Sequence, residues 1–131
     1  MATVHVFVST GRFHSAAELR AFIDPTYTED GDCLPSAFMR EVGLSSYEPG
    51  CIEAIHGERT SHLPELLAAT SYADQWVPRA DRRRCAEAAI CVFEPNRVGH
   101  PARSSLEYLG AFEYQVVFPE WLEGLVGEKQ A

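Results

Sequence analysis

The chain has no glycine-rich phosphate loop. Its nine glycines are scattered, so the backbone cradle that grips nucleotide phosphates is missing. G-x-S-x-G and H-E-x-x-H are absent too, which removes the nucleophile-elbow hydrolases and the zinc-helix proteases. His5, His14, His56, His62 and His100 are dispersed, with no i, i+4 pair among them, so neither a metal nor another cofactor is expected. Basic residues are few: 11 Lys and Arg stand against 19 Asp and Glu, for a net charge of −8. That balance speaks against a nucleic-acid partner, whose phosphates must be neutralised by Lys and Arg, and fits steering toward a basic partner. No run approaches the ~20 apolar residues of a membrane span, so no membrane partner is expected. The opening MATVHVFVST has neither the basic start nor the long apolar run of a signal peptide, which points to the cytoplasm. The four cysteines, Cys33, Cys51, Cys85 and Cys91, form no C-x-x-C, and the expectation is buried, reduced thiols.

What is present suits one soluble domain. With 131 residues, 46% hydrophobic and 23% charged, the chain has enough apolar mass for a core without disulfide or metal staples. We read residues 1–131 as a single unit with its core at about 3–117 and a C-terminal tail at 118–131. Thr3 to Ser9 is β-branched and aromatic on both faces, which predicts a central strand covered on both sides. Ser15 and Glu18 have the spacing of a capping box, ahead of a helix through Leu19, Phe22 and Ile23 that ends before Pro25. A second short helix carries Phe38, Met39 and Val42 and stops at Gly43. Cys51 to Ile55 alternates as a strand. Pro64 marks a helix start with Leu63, Leu66 and Leu67 inward, and another helix runs from Ser71 through Trp76 until Pro78 breaks or kinks it. Glu87 to Phe93 reads as a buried strand. Leu106 to Val117 reads as a further strand with a bulge or close packing at Gly110, paired antiparallel with Glu87–Phe93 across the intervening loop. The predicted architecture is α+β, a small mainly antiparallel sheet of about four strands with helices packed against it.

The most informative stretch is Tyr27 to Leu44, YTEDGDCLPSAFMREVGL. Glu29, Asp30 and Asp32 surround a turn glycine, Gly31, just ahead of a helix. Between Glu18 and Glu53 eight acids face two arginines, Arg20 and Arg40. An EF-hand is ruled out, because with Gly31 as the sixth loop residue the first and twelfth positions fall on Thr26 and Ala37, which carry no carboxylate. The basic cluster Arg79, Arg82, Arg83 and Arg84 encloses Asp81 and suits a helix C-terminus, where cations complement the dipole. No catalytic constellation emerges. Two other readings stay open: a small hydrolase using the loop carboxylates or a cysteine, and an adaptor or oligomeric scaffold using the apolar tail.

Several segments, in order, resemble a known family: V-H-V-F-V-S, then Y-T-E-D-G-D-x-x-P-S-x-F followed by G-L, then L-P-E-L-L-x-x-x-S-Y, A-I-C-V-F-E and Y-L-G-A-F-E-Y. Spread from Thr3 to Tyr114, they look like the immunity protein 22 family, small bacterial proteins encoded beside polymorphic toxins. The arginine run at 82–84 and the Trp-containing tail depart from that pattern. The resemblance implies a non-catalytic protein that binds and neutralises a cognate secreted toxin domain, commonly a nuclease and hence basic. On that reading Glu29, Asp30 and Asp32 supply long-range attraction, with Glu48 and Glu53 adding to it. Tyr27, Tyr47, Tyr72 and Trp76 are the candidate anchors.

Overall fold

The computed structural model describes residues 1–80 and 84–117. The arginine run at 82–83 and the tail from 118 onward lie outside the described residues. Four strands form one antiparallel sheet: β1 (Ala2–Ser9), β4 (Ile52–Thr60), β5 (Ala86–Phe93) and β6 (Glu107–Tyr114), in the spatial order β4-β5-β1-β6. A separate two-stranded ribbon pairs β2 (Thr26–Tyr27) with β3 (Cys33–Leu34). The helices are α1 (Ala16–Ile23), α2 (Ala37–Val42), α3 (Leu63–Leu67) and α4 (Ala73–Ala80).

The sheet is covered on both faces. Val4, Val6 and Val8 of β1 join Ala89, Cys91 and Phe93 of β5 on one side, where Leu63, Leu66 and Leu67 of α3 and Trp76, Val77 and Ala80 of α4 pack against them. Phe7 joins Ala88, Ile90 and Val92 on the other, under Leu19 and Ile23 of α1 and Phe38 and Val42 of α2. Every residue of β5 is buried, as period-two burial on two faces requires of an inner strand. Full burial of each large apolar side chain contributes about 1.5–3 kcal/mol, so stability resides in these two layers. The β2–β3 ribbon adds little to it, since its Tyr27 and Leu34 are exposed.

The expected pairing of the last two strands is not what forms: β1 lies between β5 and β6. The physical reason is burial. β1 is apolar on both faces and needs a neighbour on each edge, while the connection 94–106 is far longer than the ~2–5 residues of a hairpin loop and is free to cross the sheet end. That connection is held down along its length. Leu44 bridges Val98, the Asn96 side chain bonds both backbone groups of Glu48 at 2.7 and 3.0 Å, and the Glu41 carboxylate accepts from Ser105 N at 2.7 Å.

Local signals account for most helix ends. Ser15 Oγ accepts from Glu18 N at 3.1 Å, although the return bond of the capping box is not made. Ser36 caps α2 by accepting from Met39 N, and its hydroxyl also donates to Ile23 O at 2.7 Å, tying the two helices together. Pro78 does not end α4, which continues to Ala80. The helix begins two residues later than Ser71 because Tyr72 sits at φ 57°. Gln75 Nε2 and Oε1 bond Gln115 O and N, and Arg79 Nη2 donates to Glu113 O, so α4 holds the outer edge of β6. The expected irregularity at Gly110 is present, where the β1–β6 register shifts beside Val6.

Gly43 closes α2 in the left-handed region at φ 64°, and a Cβ there meets His100 Cδ2 at 2.9 Å. Left-handed backbone alone costs a side chain ~1–2 kcal/mol. Gly43→Ala is therefore expected to lower stability by at least about 1–2 kcal/mol, read as a lower urea midpoint at unchanged slope. An unchanged midpoint refutes that account of the turn.

Candidate functional site

The acidic stretch forms a protruding hairpin. Ser36, bonded to the end of α1, fixes its base, and Thr26 pairs with Leu34 and Tyr27 with Cys33. Thr28 builds the tip: its N donates to Asp32 O, its carbonyl accepts from Gly31 N, and its hydroxyl accepts from Asp32 N at 3.1 Å. Gly31, at φ 86°, makes the reversal possible. All residues from Thr26 to Pro35 are exposed. Glu29, Asp30 and Asp32 form no ion pair among the described residues, where the pairs are Arg20–Asp24 and Arg84–Glu107. The tip thus presents three carboxylates beside Tyr27, 64% exposed, and Leu34, 50% exposed.

Tyr47 and Glu48 are committed to the molecule itself. The Tyr47 hydroxyl donates to Asp24 Oδ1, while Arg20 bonds the Asp24 carboxylate at 2.9 Å and the Ile52 carbonyl at 3.0 Å. Burial, reinforced by the Asp24 carboxylate, pushes the Tyr47 hydroxyl up to about 12, so it remains a proton donor. Glu48 accepts from Gly50 N at 3.2 Å and starts the 3-10 turn Pro49–Cys51. The Arg20–Ile52 bond also sets the hairpin's position, because it fastens the end of α1 to the start of β4.

At that same sheet end a cleft opens beside the stretch from Gly50 to Glu53. Its cavity measures about 260 Å³, and Cys51, Glu53, Tyr72, Phe93, Glu94 and Tyr114 line it, with Val116 at the margin. Tyr72 and Tyr114 stack with ring centroids 4.8 Å apart. Glu53 Oε1 accepts from Ser71 N at 2.9 Å, and Glu94 Oε2 accepts from Thr3 N at 2.7 Å. Burial raises the pKa of the Tyr114 hydroxyl, with Glu94 adding to the effect.

The structure therefore separates the predicted residues into groups. Tyr27, Glu29, Asp30 and Asp32 share the hairpin, Glu53 and Tyr72 share the cleft, and Tyr47 and Glu48 brace the region between them. Trp76 is a correction. It is fully buried, stacks on Phe112 and donates its indole N–H to Ser71 O at 3.0 Å, so it has no surface to offer a partner. The thiols are a second correction: Cys91 is buried, but Cys33 and Cys85 are exposed and Cys51 is half-buried. Burial raises the Cys91 thiol's pKa, and Glu53 reinforces the shift. Sequence reasoning missed Cys51, Glu94 and Tyr114 as site residues. A signal was present, since Tyr72, Glu94 and Tyr114 each end one of the segments that carried the resemblance.

No histidine lines the cleft, and among the described residues no group of three or more His, Cys, Asp or Glu side chains is placed to hold a metal ion. No helix among them is long and apolar enough to cross a membrane. The family model described as Immunity protein 22 matches residues 6–115. The chain belongs to that family. No curated protein and no solved structure matches it. As an Immunity protein 22 member the chain has an immunity role, and the matched residues span the hairpin, the cleft and both core layers.

Proposed function

We propose that this protein binds a cognate secreted bacterial toxin domain and neutralises it by direct, non-catalytic association in the cytoplasm. The toxin domain is basic, as a nuclease that must hold phosphates is. The observation that carries the reading is the hairpin tip, whose Glu29, Asp30 and Asp32 are exposed and unpaired among the described residues, with Tyr27 beside them. Unpaired surface carboxylates attract a basic surface at long range and speed encounter. Exposed apolar side chains next to them supply the contact area that charge alone does not. Glu53 and Tyr72 are the further toxin-binding candidates, while Tyr47 and Glu48 hold the shape of the region beside the hairpin.

The test is co-expression with the toxin encoded beside the gene. Cells carrying both are expected to survive, and the two proteins to run as one complex on gel filtration. Survival that does not depend on this protein, together with separate elution, sinks the proposal.

A further inference from the structure

We propose that the cleft at the start of β4 receives an arginine side chain presented by the basic partner. The inference rests on the reading of the protein as a toxin binder and deepens it by naming the group that is gripped. Size is the first argument. At ~30 Å³ per water molecule, the cavity of about 260 Å³ holds one long side chain. It falls below the ~300–1,000 Å³ usual for small-molecule sites.

Chemistry is the second argument. Two carboxylates from separate segments, Glu53 in β4 and Glu94 just after β5, line the same cavity. Each uses one oxygen on a backbone N–H, from Ser71 and Thr3 respectively. The remaining oxygens, Glu53 Oε2 and Glu94 Oε1, have no hydrogen-bond partner among the described residues, and neither side chain forms an ion pair there. Carboxylates held in place by backbone donors with lone pairs to spare are acceptors for a charged donor. Tyr72, Phe93 and Tyr114 line the same cavity. An ammonium satisfies the carboxylates as a point charge, whereas a planar guanidinium also stacks on a ring face and offers its donors in a fixed fork. Aromatic wall and paired acceptors together therefore select arginine.

Backbone geometry agrees. Tyr72 is the non-glycine residue at positive φ among those described, at 57°, a conformation of the kind that persists at ligand clamps. The Trp76 indole N–H bonds the carbonyl of the preceding residue, Ser71, and Tyr114 stacks on the Tyr72 ring at the cleft.

The probe is ethylguanidinium chloride titrated into the full chain, with the ring resonances of Tyr72 and Tyr114 followed by NMR and ethylammonium chloride compared at equal ionic strength. A saturable shift is expected with ethylguanidinium. It should be at least about five-fold weaker with ethylammonium, and weaker again by a similar factor in Glu53→Gln/Glu94→Gln, whose amides keep an acceptor for Ser71 and Thr3. No saturable shift, or an undiminished one in the double variant, overturns the proposal. In the complex with the toxin domain, the same double variant is expected to weaken binding at least about 30-fold through faster dissociation. Undiminished affinity removes the cleft from the interface and leaves the toxin-binding reading standing. Failure of the wild-type protein to form any complex ends both.

Discussion

Glu87→Ala is expected to destabilise the protein by about 3–5 kcal/mol, more than any other surface-proximal carboxylate, as measured by urea unfolding at neutral pH. Glu87 begins the run that becomes β5, yet it is only 6% exposed. Its carboxylate accepts from Gly11 N, from Phe13 N at 3.1 Å and from Ser9 Oγ at 3.0 Å. It thereby organises the turn that carries the chain from β1 toward α1. Hydrogen bonds to an ionised group are worth ~1.5–3 kcal/mol each and are not additive, which gives the range. Alanine leaves three donors without this acceptor.

The pH dependence gives a sharper version. Burial alone raises the pKa of Glu87, but the bonds from Gly11, Phe13 and Ser9 outweigh it and hold the group below its ordinary value of 4.5. A depressed folded pKa means that the stabilisation is complete above the unfolded value and is lost as pH falls through the folded one. The stability gap between wild type and Glu87→Gln should be flat above about pH 5.5 and narrow steadily in acid. A gap that is constant down to the lowest pH, or that widens, contradicts the assignment of a stabilised carboxylate.

The second large effect is kinetic. Replacing Glu29, Asp30 and Asp32 together by lysine is expected to slow association with the toxin domain by about 100-fold at low ionic strength, because steered encounters run ~10²–10³ faster than neutral ones. The difference should shrink as salt shortens the Debye length from ~10 Å at 0.1 M toward ~3 Å at 1 M. The variant should unfold at the wild-type midpoint, since exposed substitutions change stability by no more than about 0.5 kcal/mol. Stopped-flow mixing across a salt series measures this. An association rate insensitive to the reversal takes the hairpin out of the interface, whatever the affinity.

Much of the fold was legible because it rests on local rules. Val4, Val6, Phe7 and Val8 are apolar with only His5 between them, and Ala89 to Phe93 is apolar throughout, a pattern that suits a strand buried on both faces, and both became inner strands. Ser15, Gly43 and Pro64 mark helix ends by backbone chemistry that does not depend on distant partners. The order of strands was not legible, since nothing in β6 states that β1 will come between it and β5. The two-residue ribbon β2–β3 was read as a loop because its pairing depends on Thr28 closing the tip, not on any hydrophobic alternation. Glu87 looked like the polar edge of an apolar run, and its donors lie some 75 positions earlier, brought near by the β1–β5 register.

The candidate site was half legible for the same reason. The hairpin is one continuous segment, so its charge was visible in the sequence. The cleft draws on the start of β4, the residue before α4 and the ends of β5 and β6, and it exists only once the strand order is set. Glu53 and Tyr72 were singled out for their residue type alone. Trp76 was singled out on the same ground, although its spacing with Val77 and Ala80 matches the face that α4 buries.

The hold of α4 on β6 has a bearing on how this molecule meets others. With Glu113 O already bonded to Arg79, and both backbone groups of Gln115 bonded to Gln75, the stretch from Glu113 to Gln115 has three of its backbone groups engaged by α4. A visiting strand that paired along this stretch would first have to displace those side chains. If the adjoining cleft, which Tyr114 and Val116 line, is where the partner is gripped as proposed, the grip falls to side chains, which can change between relatives without touching the scaffold.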